Sequence, residues 1–196
     1  GTHEFPVMRD DGLRKSQQRY LVARLTQAVD QAGFGSTSQG HVWLSRYCDS
    51  TANHIEHITP QTPHDEVRAA FGPGADEPEV IWSVGNLALA EAATNHSLGN
   101  KPYSAPDGEL MHLRPLKREV YPSSQHLLTR SIAQVVEVGK NTAIDRAVAT
   151  FTPFDKWDRE AVKRRAELLT DLAAKVWRIE KPPATVSDAV VEVAAV

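Results

Sequence analysis

One cysteine, Cys48, in 196 residues excludes an internal disulfide. The chain is long enough to bury a core without covalent staples, so the near-absence of thiols points to a reducing compartment, with the cytoplasm as the expected location. No apolar run approaches the 18 residues that a spanning helix requires, which excludes a membrane partner of that kind. The opening GTHEFPVMRDDG lacks the basic-then-apolar order of a secretory signal. No internal repeat occurs, and no GK[ST] follows the glycines of GFGSTSQG (33–40), which therefore reads as a linker rather than a phosphate loop. A strongly basic balance is missing too: the net charge is −3 and the pI is near 6.3, against a dedicated nucleic-acid binder.

What charge there is lies unevenly. Residues 1–98 hold seven Lys/Arg against twelve Asp/Glu, whereas 99–181 hold fifteen against eleven. An acidic half beside a mildly basic one suits a site that handles a cation next to a surface that tolerates phosphate.

Apolar spacing predicts an amphipathic helix over 13–31, stopped at Gly33. HVWLSRYC (41–48) fits a short strand or a helical turn. Residues 53–59 read as a strand ending before Pro60, and 61–79 as an inserted loop with a short helix at 64–71. Strand character lies on both sides of Gly85 over 80–90, followed by a helix at 90–98 closed by Gly99 and a surface excursion at 104–112. Two long amphipathic helices are expected over 123–139 and 158–178, the second capped by Asp158 with Trp157 as the outer half of a hydrophobic staple. The organisation is then a helical lead-in (1–52), a compact core (53–103), a C-terminal helical part (104–180) and a flexible tail (181–196).

Two short windows concentrate chemistry: His54-Ile55-Glu56-His57-Ile58-Thr59-Pro60-Gln61, and Gly85-Asn86-Leu87-Ala88-Leu89 followed by Asn95 and by Asn100-Lys101. Hydrolysing a phosphodiester needs a group that takes a proton from water near neutral pH, which histidine does. It also needs a hard cation held by oxygen donors, which a carboxylate and an amide carbonyl supply. Glu56, His57 and Asn95 form such a set if strand and helix pack face to face. Neighbours in a strand point to opposite faces, so Glu56 and His57 share a site only where the strand ends or twists sharply, and Pro60 provides an ending. His54, His57 and His64 could instead be read as a zinc cluster, though no Cys or HExxH partner accompanies them. Arg114, Lys117 and Arg118, with Lys163, Arg164 and Arg165, either line a DNA path or form solvated faces. Trp82, Trp157 and Trp177 fit core positions better than base-stacking ones.

The ordered segments EHITP (56–60), GNLAL (85–89), NHSLGNKPY (95–103), LKREVYPSS (116–124) and WDREAVKRRAELLTDLAAKVW (157–177) resemble the HNH (His-Me finger, ββα-metal) nucleases. They are similar to the HNH domain of RNA-guided Cas nucleases, and closer to the C-terminal domain of GmrSD-like and SspE-like modification-dependent restriction proteins. The resemblance implies an α+β fold, mostly helical, around a ββα-metal motif. It implies a DNA endonuclease (nickase) effector using Mg²⁺ or Mn²⁺, one ion per site, in defence against foreign DNA. Within it, His57 is the general base, Glu56 and Asn95 ligate the ion, and Asn86 on the second strand orients the loop bearing His57. Lys101 or Lys117 contacts phosphate; Arg118 joins them as a DNA-side candidate from the basic run alone. An N-terminal nucleotide-hydrolysing sensor domain would complete the full-length protein. The rival expectation is a catalytically inactive DNA- or partner-binding module that keeps the fold.

Overall fold

The computed structural model describes residues 15–35, 41–106, 108–139 and 142–178; the expected tail and the first 14 residues lie outside them. One antiparallel hairpin organises the fold. β1 (Asn53–His57) pairs with β2 (Leu87–Glu91) so that His57 faces Leu87 and Asn53 faces Glu91. α1 (Lys15–Phe34) and α2 (Leu44–Cys48) precede the hairpin, while α3 (Asp65–Phe71) and α4 (Pro78–Ile81) lie between its strands. α5 (Ala92–Leu98) leaves β2 without a loop, giving the ββα order. α6 (Lys117–Val120), α7 (Leu127–Arg130), α8 (Ala143–Val148) and α9 (Arg159–Val176) follow. The fold is α+β and mostly helical, as expected. Among the described residues no helix is long and apolar enough to cross a membrane.

A two-stranded sheet is not stable alone, and here both of its faces are covered. Leu87 and Leu89 join Val22, Leu25 and Val29 of α1, Leu128 of α7 and Leu169 and Leu172 of α9 in one cluster, against which Ile55 packs. Ala88, on the other face, packs with Ile58, Leu98 of α5, Tyr103, Tyr121, Trp157 and Val162. Alternation along the strands thus assigns Ile55 and Leu89 to one layer and Glu56 and Ala88 to the other.

Several elements depart from expectation. α1 runs past Gly33 and stops at Gly35, whose φ of 97° and N–H bond to the Gln31 carbonyl form the left-handed cap that favours glycine. Residues 41–48 settle as helix from Leu44. The strand expected before Gly85 is instead α4 and a 3₁₀ turn over Val84–Asn86. The helix expected over 123–139 is confined to Leu127–Arg130. Beyond it Val136 and Val138 are buried with Glu137 exposed between them, a two-residue alternation of β-branched side chains that seats an extended segment in the core. α9 forms as read, with Asp158 Oδ1 accepting from the Ala161 N–H at 2.9 Å.

Gly85 sits where α9 approaches the 3₁₀ turn. A Cβ there would lie 2.0 Å from the Val162 carbonyl oxygen and 2.8 Å from the Ala166 nitrogen, both backbone atoms that cannot rotate away. Gly85→Ala is expected to lose about 3 kcal/mol of unfolding free energy, the upper end of overpacking, seen as a lower urea midpoint at unchanged slope.

Candidate active site at the exit of β1

The chain leaving β1 is held in place mainly by Asn86. Its fully buried carboxamide accepts from the Thr59 N–H at 2.7 Å and donates to the carbonyls of Thr59 (2.9 Å) and Ile81 (3.1 Å). Its own carbonyl accepts from the Ile58 N–H at 2.9 Å, and Trp157 Nε1 donates to its side-chain oxygen at 3.3 Å. Asn86 therefore orients the segment after His57, and Trp157 serves as core. Arg165 of α9 fixes the turn from the other side, donating to the carbonyls of Gly85 and Leu87 at 2.7 Å each. At 1% exposure it does not line a surface path for DNA. Burial lowers its pKa to about 10, so it stays charged at neutral pH.

Glu56 lies on the opposite face of β1 from Ile55 and is buried. Its Oε1 meets Lys117 Nζ at 2.7 Å and accepts from the Tyr121 hydroxyl at 3.0 Å. Lys117, with no exposed surface, also donates to the carbonyls of His57 (2.8 Å) and Ile58 (3.0 Å). This corrects the expectation of Lys117 as a phosphate contact: its ammonium is enclosed beneath β1 because Glu56 is there to neutralise it. Burial pushes the lysine pKa down, opposed by Glu56, and pushes the Tyr121 hydroxyl well up.

His57 is 9% exposed, with its ring edge-on to Trp82 at 5.1 Å and the Gln61 amide 3.3 Å from Nδ1. Desolvation, aided by the Lys117 charge, lowers its pKa to about 4, which leaves the ring neutral at pH 7 with a lone pair to offer. Asn95 of α5 is half-buried, and its side chain pairs with His54: Nδ2 stands 3.1 Å from His54 Nδ1. Lys101 Nζ donates to the Pro115 carbonyl at 3.1 Å. Arg118 is exposed but paired with Asp155 at 2.8 Å. The expected set thus splits by face: His57 on one alternation of β1, its segment strapped by Asn86, and Glu56 with the His54–Asn95 pair on the alternation that α5 covers.

A cleft of 550 Å³ opens at the far end of the hairpin, lined by Asn53, Glu91, Ala92, Arg46 and Gln125. Its floor is a fixed polar network. The buried Asp30 accepts from the Tyr47 hydroxyl (3.0 Å) and the Leu127 N–H (2.8 Å) and sits 3.2 Å from His126 Nδ1; His126 Nε2 in turn lies 2.9 Å from Asn53 Oδ1. Little in the residues warns of this network or of the tasks of Lys117, Tyr121 and Arg165, because nearly every pairing joins positions dozens of residues apart. Only the burial of a cation on a helix face that turns inward could have suggested them.

No group of three or more His, Cys, Asp and Glu side chains that could enclose a metal occurs among the described residues. The oxygen donors at hand are the Glu56 carboxylate, whose Oε1 is already engaged, and Asn95 Oδ1. Such a sparse, hard set fits a cation that keeps most of its own water shell, as Mg²⁺ does.

Two measurements test this site. Lys117→Met is expected to cost about 3–5 kcal/mol by stranding Glu56, and adding Glu56→Gln recovers part of it in a double-mutant cycle. The His57 ring is expected to titrate near pH 4 in metal-free buffer, followed by the NMR shift of its Cε1 proton. Since folding makes the ring harder to protonate, its contribution to stability is complete above about pH 6.5 and is lost as pH falls towards 4. A midpoint near 6.5 would refute the enclosed environment.

No curated protein matches the chain. The family described as GmrSD restriction endonucleases, C-terminal domain, matches residues 8–172, which is most of the length and spans the hairpin, α5 and nearly all of α9. The chain belongs to that family, the C-terminal domain of the GmrSD restriction endonucleases.

Proposed function

We propose that this domain is a metal-dependent DNA endonuclease of the HNH type, cutting one phosphodiester per site, with His57 as general base. The observation that carries the reading is the ββα order, with His57 at the end of β1, neutral at pH 7 and strapped in place by Asn86 and Lys117. A bound Mg²⁺ or Mn²⁺ would supply Lewis-acid stabilisation of the charge building on the phosphate. Glu56 would offer it Oε2, since Oε1 already serves Lys117 and Tyr121, and Asn95 would offer Oδ1.

His57 takes the proton as water adds to phosphorus. The P–O3′ bond breaks, and the leaving oxygen gains a proton from solvent, giving a 3′ hydroxyl and a 5′ phosphate. Asn86 acts through the backbone of Ile58 and Thr59, keeping the strand exit rigid so that the imidazole need not reorganise. The proposal is completed by a restriction setting in which a separate nucleotide-hydrolysing sensor domain would choose the target.

One observation favours a second reading, an inactive DNA- or partner-binding module. Glu56 is held by a buried lysine, and His57 is nearly covered.

Conversion of supercoiled plasmid to open circle separates the two. The wild-type chain is expected to nick with Mg²⁺ or Mn²⁺ and to stop when EDTA is added. His57→Ala is expected to reduce nicking at least about a hundredfold, the lower range for loss of a general base. No open-circle product from wild type, or equal nicking by the variant, sinks the catalytic reading.

A further inference from the structure

His54 and Glu56 stand two residues apart on β1, so their side chains leave the same face of the hairpin. That is the face on which α5 packs: Ala88, opposite Glu56, shares a cluster with Leu98, and Asn95 reaches His54. His57, one residue further on, belongs to the other alternation. The side chain that Asn95 touches is therefore His54.

The direction of that contact matters. An amide has one carbonyl oxygen and one NH₂, and whichever atom faces a neighbour decides what the other can do. Here the Asn95 Nδ2 faces the imidazole and donates to Nδ1, 3.1 Å away, and this is the one partner the Asn95 side chain has among the described residues. No hydrogen bond to its Oδ1 occurs among the described residues.

We propose that His54 is a positioning residue: by accepting from Asn95 Nδ2 it locks the amide with its carbonyl oxygen outward, as a preformed ligand for the divalent ion. Partners that orient a metal-bound side chain in this way govern affinity without touching the metal. The inference rests on the metal-dependent reading above and adds a residue to it.

Mn²⁺ binding, followed by the EPR signal of free Mn²⁺, reads it without recourse to activity. His54→Ala is expected to weaken Mn²⁺ binding about tenfold, the lower end for loss of an orienting partner, with thermal melting little changed. His54→Asn, whose Oδ1 can stand in for Nδ1, is expected to restore most of the affinity. His54→Leu, which fills the space without an acceptor, replaces the alanine variant should that one unfold. The paired amide proton signals of Asn95, identified by their loss in Asn95→Ala, are expected to move in His54→Ala and to stay close to wild type in His54→Asn. Wild-type Mn²⁺ affinity in His54→Ala, or in Asn95→Ala, overturns the inference while leaving a nicking, Mn²⁺-binding enzyme intact. No Mn²⁺ binding by the wild type overturns the metal-dependent reading and this inference with it.

Discussion

The contact on which the site depends is the grip of Arg165 on the turn before β2. A guanidinium with almost no solvent contact is costly to bury, and no carboxylate among the described residues pairs with it. What offsets the cost is two short bonds to the carbonyls on either side of Asn86, at a place where Gly85 lets the helix backbone come close. Once those carbonyls are fixed, the Asn86 side chain has one direction to point, and it catches Thr59. The geometry of His57 therefore traces back to a residue on a helix more than a hundred positions away in the chain.

A second buried cation works from beneath β1. Lys117 donates to the carbonyls of His57 and Ile58 much as Arg165 does to those of Gly85 and Leu87, so both strand ends at the site are held by enclosed positive charge. The difference is Glu56, which neutralises Lys117 but not Arg165. The Lys117 charge has a chemical consequence: it adds to desolvation in keeping the His57 ring unprotonated.

This also explains which parts of the architecture were legible in the residues. α9, β1 and α5 were readable because their signals are local: a capping Asp158, an alternation closed by Pro60, a helix-forming run ended at Gly99. Asn86 was expected to orient the loop only because the resemblance implies that role for it. The segment after α7 was misread as helix because its apolar residues satisfy both periods until tertiary contacts choose, and Val136 and Val138 pack only when extended. Lys117 and Arg165 were misread for a deeper reason. A charged residue looks alike on a helix face whether that face meets water or a carbonyl, and only the fold decides which.

That misreading bears on how DNA would be met. The positive excess of residues 99–181 suggested a phosphate-tolerant surface, yet much of it is occupied within the fold: Lys117 by Glu56, Arg165 by carbonyls, Arg118 by Asp155, Arg114 by Glu119. Cations already neutralised or enclosed release few counterions when a nucleic acid arrives, so the sequence-independent part of affinity shrinks. An isolated domain of this kind would hold DNA weakly and lose it readily as salt rises. Such a nuclease is safest when another part of the protein supplies the target, because affinity then comes from tethering rather than from the cutting surface.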